Sequence, residues 1–274
     1  MSIAIDLTGK VILICGAARG GIGGATARQA SVAGASVIVL DYDQALVDET
    51  AAEIRASGGD AQALVCDLTD PAATDGLIER IFARHGRLDG VVNVAGGTRE
   101  DEWRPLDETP LESFRATLNL NLEYVFRICR DAAKAWIDRD LPGSLVNIGS
   151  VSSLTSAPWH GPYGAAKAGI SALTRTMANE WGEFGIRANT VNPGGVLSER
   201  VRVRIPPANV DTASSNVVFV STDEMAWPII FLLSDLAAGI SGQTLTIDRA
   251  LSTKFCAGAR KSRKEVAAQQ QGSR

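Results

Sequence analysis

The sequence predicts an α/β fold: a doubly wound parallel sheet of about seven strands with helices packed on both faces. Three observations carry this. Short unbroken apolar runs recur along the chain, stretches of helical periodicity lie between them, and the first run leads into a glycine-rich turn and an alanine-rich helix.

The elements follow in order. Residues 11–15 read as the first strand, and 37–40, 63–66, 90–94, 144–148 and 187–191 as further buried strands, with 244–247 the last. Continuous apolar runs suit strands covered on both faces, where no polar alternation is needed. Residues 44–57 have the spacing of an amphipathic helix. So do residues 71–85, opened by Asp70 as cap and by Pro71 at the first helical position, where a missing N–H costs nothing. Two longer helices are expected over 110–138 and 161–184, and a final one over 223–233. Without an internal linker or repeat, residues 1–251 read as one domain. Residues 252–274, basic and then glutamine-rich without apolar anchors, read as a partly disordered tail.

Composition narrows the function classes. A chain of 274 residues with 45% hydrophobic content can bury a sizeable core, and a net charge of −4 disfavours nucleic acid and anionic membranes as partners. No apolar run reaches membrane-spanning length, and the N-terminus has no secretory pattern, so a cytoplasmic location is expected. The four cysteines, Cys15, Cys66, Cys129 and Cys256, are scattered, which suits reduced packing residues. With only His85 and His160 and no ligand-spaced cluster, no metal site is expected, and a Ser-His-Asp triad is disfavoured.

Two features carry chemistry. The turn from Gly16 through Ala17, Ala18, Arg19, Gly20, Gly21, Ile22 and Gly23 lies between a strand and a helix, where glycines let the backbone approach a pyrophosphate that the helix N-terminus attracts. Asp41 closes the second strand some twenty residues later. A carboxylate there accepts from the adenosine ribose hydroxyls and repels a 2′-phosphate, which favours NAD over NADP. Arg19 pulls the other way, because a guanidinium can clamp a 2′-phosphate; its plainer reading is an exposed loop residue. The second feature is Tyr163 with Lys167, four residues apart on one helix face. The ammonium there can stabilise a phenolate and draw the phenol from its free pKa of about 10 toward neutrality, making Tyr163 an acid–base candidate.

Together these residues resemble the short-chain dehydrogenase/reductase family, in a Rossmann-type arrangement covering residues 10–248. The run Cys66-Asp67-Leu68-Thr69-Asp70 is similar to the family motif that meets the adenine ring, and Asn93-Val94-Ala95-Gly96 to its N-N-A-G motif. Asn121 matches the tetrad asparagine, Ser150 precedes Tyr163 by the family's thirteen residues, and Asn192-Pro193-Gly194 matches the turn beside the nicotinamide. The resemblance implies an NAD(P)-dependent oxidoreductase that interconverts a secondary alcohol and a ketone, with Asn121, Ser150, Tyr163 and Lys167 as catalytic residues. Tyr163 would exchange the proton, Ser150 would hold the substrate oxygen, Lys167 would also grip the nicotinamide ribose, and Asn121 would anchor a water. The cofactor contacts it implies are Gly16, Arg19, Gly21, Ile22, Gly23, Asp41, Asp67, Leu68, Asn93, Ala95, Gly96, Tyr163, Lys167, Pro193, Gly194, Val196 and Ser198. Ser152 or Ser153 stand as rivals to Ser150, which alternatively only caps a turn, and Asn119 stands as a rival to Asn121.

The chain departs from the family pattern in three places. The glycine loop has one extra residue, and Cys15 replaces the usual threonine; Ser198 stands where a threonine is common; and Asp248-Arg249-Ala250 replaces D-G-G. A substrate lid is expected over 199–222. If extended, it would set Arg200, Arg202 and Arg204 on one side, facing either an anion or simply solvent. Ser152, Leu154, Trp159, His160 and Gly195 are the substrate-contact candidates, with Trp103 also near the mouth. The small-molecule partner is expected to be an alcohol or ketone, and the assembly a homotetramer or homodimer formed through the two long helices. The alternative functions are a non-catalytic nucleotide-sensing protein on the same fold, and an epimerase or dehydratase.

Overall fold

A computed structural model describes residues 4–98, 103–203 and 219–253. Seven strands form one parallel sheet: β1 (Val11–Cys15), β2 (Ser36–Asp41), β3 (Ala61–Val65), β4 (Gly90–Asn93), β5 (Gly143–Ile148), β6 (Ile186–Pro193) and, last in the chain, β9 (Thr244–Ile247). Their order is β3-β2-β1-β4-β5-β6-β9. A separate two-stranded pair joins β7 (Gly195–Val196) to β8 (Phe219–Val220).

Alternation along each strand divides the core into two layers. Leu13, Cys15, Ile38, Leu40 and Leu145 pack with Phe82, Ile128, Trp136, Ile170 and Met177 from α4 (Leu77–His85), α6 (Tyr124–Ile137) and α7 (Gly161–Glu180). Ile12, Ile14, Val37, Val39 and Val146 pack on the other face with Ala27, Val47, Ile54 and Ile229 from α1 (Ile22–Val32), α2 (Gln44–Ala56) and α9 (Thr222–Leu233). Each sheet face therefore has its own helical cover, as continuous apolar strands require.

Two expected helices are interrupted. The one over 71–85 splits into α3 (Pro71–Thr74) and α4, because Gly76 takes a left-handed φ of 61° between them. The one over 110–138 is α5 (Leu111–Leu118) and α6, joined by a wide turn at Asn119–Glu123 in which the Tyr124 N–H donates to the Asn119 carbonyl five residues back. The helix expected over 161–184 ends at Glu180, and Gly182–Phe184 form a short tighter turn. Strand β3 begins two residues earlier than expected, leaving Cys66 just beyond its end. Cys15, Cys66 and Cys129 are free and buried; Cys256 and the tail from 254 onward lie outside the described residues.

The Asp248-Arg249-Ala250 turn after β9 holds two successive non-glycine residues at positive φ, 50° and 65°. The Asp248 carboxylate anchors it, accepting from the Ala250 N–H at 2.9 Å and the Ser252 N–H at 2.6 Å. Left-handed backbone costs a residue bearing Cβ roughly 1–2 kcal/mol. Glycine avoids that strain but gives back part of the gain as chain entropy. Ala250→Gly is therefore expected to stabilise the protein by about 0.5–1 kcal/mol, read as a Tm increase of about 1–4 °C; an unchanged or lower Tm contradicts the strain.

Candidate active site

The strand order reverses direction on either side of β1, and in open parallel sheets ligands bind at the carboxyl ends of strands beside such a switch point. There the loops after β1 and β4 lie side by side: the Val94 and Ala95 N–H groups both donate to the Cys15 carbonyl at 2.8 Å. Gly16 has φ 89°, and a Cβ on it would run into the Ala95 backbone, so this close approach requires glycine. The Gly23 backbone in turn presses against the Gly16 carbonyl, setting α1 hard against the turn.

The extra loop residue is accommodated by Gly20 at φ 73°, whose carbonyl accepts from the Glu199 N–H at 3.1 Å. Gly21 then caps α1 and Ile22 begins it. Asp41, the last residue of β2, accepts from the Ala18 N–H at 3.2 Å and the Tyr42 N–H at 2.9 Å. It is buried, and loss of solvent raises its carboxyl pKa against the pull of those two amides. Arg19 is paired with Glu49 at 2.5 Å.

Tyr163 and Lys167 stand on the first turns of α7. Lys167 is buried at 2% exposure; its Nζ donates to the Ile148 carbonyl at 2.8 Å and lies 5.6 Å from the centroid of the Tyr163 ring. Burial pulls the ammonium down to about 7. It also pushes the Tyr163 phenol above its ordinary value, while a hydrogen bond with Ser150 acts in the opposite sense. The sequence expectation was a phenol lowered by its lysine. Here burial outweighs the Ser150 hydrogen bond and raises the phenol, while the ammonium gives one of its three N–H donors to the Ile148 carbonyl.

Ser150 leaves the end of β5, where it caps a turn and lies against the Tyr163 phenol. It bonds Tyr163, and its Oγ caps the turn Val151–Ser153 by accepting from the Ser152 N–H at 3.1 Å. Its rival Ser153 is occupied, donating to the Ser150 carbonyl at 2.6 Å and accepting from the Asn192 Nδ2 at 2.9 Å. Asn192 also takes the Ser150 N–H on its Oδ1 at 3.0 Å, so one buried amide holds the turn that presents Ser150. Sequence reading saw Asn192 only as part of a turn motif; its signal was an asparagine inside a buried strand.

The wide turn at Asn119–Glu123 separates two neighbouring asparagines. Asn119 donates to the Thr69 carbonyl at 2.9 Å, away from the lysine. Asn121, fully buried, accepts from the Gly97 N–H at 2.8 Å and donates to the Gly97 and Thr117 carbonyls at 3.0 and 3.1 Å. A Cβ on Gly96 would meet both Asn121 Oδ1 and Lys167 Nζ, so these two groups flank the same point of the loop. Both Asn121 N–H groups are taken, leaving lone-pair capacity on Oδ1. Such wide turns gather at functional sites.

The other candidates line the same rim. Asp67 is exposed, its carboxylate accepting from the Thr69 N–H and hydroxyl, while Leu68 beside it is buried. Asn93 ties β4 to β5 by donating to Asn147 Oδ1 at 2.8 Å, and its own Oδ1 is buried without a partner among the described residues. Pro193 and Gly194 end at the Asp248 turn, Gly195 and Val196 form β7, and Ser198 caps α8 (Glu199–Arg202). His160 stacks on Trp103 at 4.6 Å, with its ring 5.9 Å from that of Tyr163. Its Nδ1 donates to the Pro158 carbonyl at 2.8 Å, which leaves Nε2 facing Ser152 Oγ at 3.4 Å. Leu154 and Trp159 are exposed at this mouth.

The condition set for the lid arginines is not met. Residues 199–202 are helical rather than extended, because Ser198 caps them, so Arg200 and Arg202 do not share a side. Arg200 reaches the Thr98 carbonyl at 3.3 Å, and Arg202 lies near Arg19 and Arg28. Arg204 and the rest of the expected lid, 204–218, lie outside the described residues.

The residues present fit a nicotinamide dinucleotide. Gly16 lets the loop close against Ala95, a buried carboxylate lies at the end of β2, and the Asn93 oxygen at the end of β4 has no partner among the described residues; the Glu199 side chain lies against Gly20 at the edge of the cradle. Among the described residues no cluster of histidine, cysteine or carboxylate is placed to hold a metal, and no helix is long and apolar enough to cross a membrane.

A family model described as enoyl-(acyl carrier protein) reductase matches residues 16–252. The chain is a short-chain dehydrogenase/reductase. This dehydrogenase is 35% identical over 245 residues to a (5R,7aS)-5-hydroxy-7a-methyl-1-oxo-2,3,5,6,7,7a-hexahydro-1H-indene-carboxyl-CoA reductase of Mycobacterium tuberculosis, covering 88% of this chain and 92% of the relative. It is 32% identical to a D-threitol dehydrogenase of Mycolicibacterium smegmatis, over 93% of this chain and 98% of that one. A solved 7α-hydroxysteroid dehydrogenase in complex with NADH and 7-oxo glycochenodeoxycholic acid superposes with a TM-score of 0.79 at 30% identity, covering 89% and 94% of the two chains. Short-chain dehydrogenases of this kind act on CH–OH and keto groups with NAD(P), and the present enzyme is an oxidoreductase of that type.

Proposed function

We propose that the enzyme interconverts a secondary alcohol and its ketone, with NAD as the preferred coenzyme and Tyr163 as the acid–base group. The observation that carries this is the buried Lys167 ammonium beside Tyr163, with Ser150 bonded to the same phenol, at the strand ends next to a glycine cradle. The coenzyme, when bound, accepts or supplies the hydride. Ser150 holds the substrate oxygen and Tyr163 exchanges its proton. Lys167 lends positive charge that favours the phenolate and grips the ribose. Asn121 anchors a water through its free lone pair, and the proton leaves by that route. Ser152, His160, Trp159 and Leu154 border the substrate, and Ser198 holds the carboxamide end.

The NAD preference is supported by Asp41, whose buried carboxylate accepts ribose hydroxyls and repels a 2′-phosphate. The test is the nicotinamide absorbance change with a panel of alcohols and ketones. Asp41→Ala is expected to narrow the preference for NAD over NADP by about tenfold or more in kcat/KM. An unaltered preference removes Asp41 from that role, and no turnover with any panel member refutes the reaction.

The catalytic unit is proposed to be residues 1–251, to work in the cytoplasm, and to assemble as a homotetramer. Exposed Leu111 and Phe126 on α5 and α6, and Trp227 and Leu245 on α9 and β9, support the assembly. A monomeric mass by light scattering contradicts it.

A further inference from the structure

Arg19 leaves the glycine loop one residue after Ala18, whose N–H is bonded to Asp41. A guanidinium there is well suited to a 2′-phosphate, with its planar fork of donors beside the ribose subsite. It is turned to the neighbouring helix instead. Arg19 Nη1 donates to Glu49 Oε1 at 2.5 Å, and its Nε lies 3.6 Å from Glu53 Oε2. Arg28 approaches the same Glu53 oxygen at 3.6 Å. Glu49 and Glu53 are four residues apart on α2 and so share a face, where two like charges need a common counter-ion. Thr50, between them, donates to the Ala17 carbonyl at 2.9 Å, which holds this face of α2 against the loop. The partners of Arg19 are thus fixed in place by a bond from the helix to the loop itself.

We propose that Glu49, supported by Glu53, is a coenzyme-specificity residue that holds Arg19 on α2 and withholds its guanidinium from a 2′-phosphate. The inference rests on the reading that this loop binds a nicotinamide dinucleotide. A 2′-phosphorylated coenzyme meets two obstacles: the Asp41 carboxylate at the ribose, and a guanidinium already engaged by carboxylates. To recruit Arg19, the phosphate must displace Glu49 from its guanidinium and leave Glu53 with Arg28 alone. Rejection built from a competing contact of this kind adds to the direct repulsion.

Fluorescence titration of NADH and NADPH onto wild type, E49Q, R19A and R19A/E49Q tests the idea by binding, independently of turnover. Glu49 is half exposed, so E49Q keeps the side chain's shape without disturbing a core. E49Q is expected to tighten NADPH about fivefold and to leave NADH within about twofold. E49Q/E53Q should extend the gain, and R19A/E49Q should lose it. An unchanged NADPH-to-NADH ratio in E49Q overturns the proposal. So does an equal gain in the R19A background, because Glu49 would then act only as a diffuse negative charge. If wild type binds neither dinucleotide, the reading of the loop itself fails, and that result is visible before any variant is compared.

Discussion

Tyr163→Phe is expected to lower kcat by about a thousandfold while leaving Tm and coenzyme binding near wild type. General acid–base groups contribute about 10²–10⁴ in rate, and the substitution deletes one oxygen without changing the ring's volume. That oxygen hydrogen-bonds Ser150, so the fold loses little. The neighbouring groups are poorly placed to substitute. The Lys167 ammonium is engaged by the Ile148 carbonyl, and the His160 ring is 5.9 Å away with Nδ1 committed to Pro158. Single-turnover kinetics with a substrate of the panel would show the loss in the chemical step, with KM little changed. If Tyr163→Phe keeps a tenth or more of its activity, the acid–base role passes to another group. His160 is then the first to examine, through the pH profile of the residual rate.

Most of the sheet was legible because its strands are buried on both faces and therefore read as plain apolar runs. All seven expected strands are present, with ends moved by a residue or two where polar residues continue a strand, as Asp41 does in β2. The glycine loop was legible for a similar reason: close backbone approach excludes side chains, and the sequence shows their absence. Interruptions of helices were less visible. Gly76 breaks the 71–85 helix by one left-handed residue, and a single glycine in a periodic pattern is compatible with helix as well as with a break. The wide turn at Asn119–Glu123 keeps helical periodicity on both sides, so nothing in the apolar pattern marks it. Yet that turn separates Asn119 from Asn121, turning one amide to Thr69 and the other to Gly97.

The roles of partners were the least legible part. Tyr163 and Lys167 share a helix face, which their spacing implies, but the bond from Lys167 to the Ile148 carbonyl depends on β5 lying under α7. The Glu49–Arg19 pair and the Asn192 clamp on Ser150 likewise join residues far apart in the chain. Such contacts follow from topology and have no local signal. The helical turn at Glu199–Arg202 has a local signal, since Ser198 is a good helix cap, and it removes the shared side that an extended segment would give Arg200 and Arg202.

Lys167→Met is expected to stabilise the protein relative to wild type, most strongly at and below neutral pH, while abolishing turnover. The native ammonium is pulled down to about 7 by burial, against an unfolded value near 10.5. A lysine whose folded pKa is depressed penalises folding in full below the folded value, where both states are charged. The penalty is relieved as pH rises from about 7 toward 10.5, because only the unfolded chain then keeps the proton. Between pH 7 and pH 9 the advantage of the methionine variant should therefore shrink by roughly 2 kcal/mol. The raised Tyr163 phenol stays protonated through that interval, and the buried thiols behave alike in both proteins, so the difference between them reports on Lys167 alone. Losing the bond to Ile148 costs about 1 kcal/mol at every pH and shifts the curve without altering its slope. Denaturant unfolding of both proteins at several pH values measures that slope. A flat difference means the lysine keeps an ordinary pKa, and its charge would then be solvated rather than held as a buried positive group against the phenol. A falling difference means that the fold bears a standing cost at this position, one that only a functional demand on the ammonium explains.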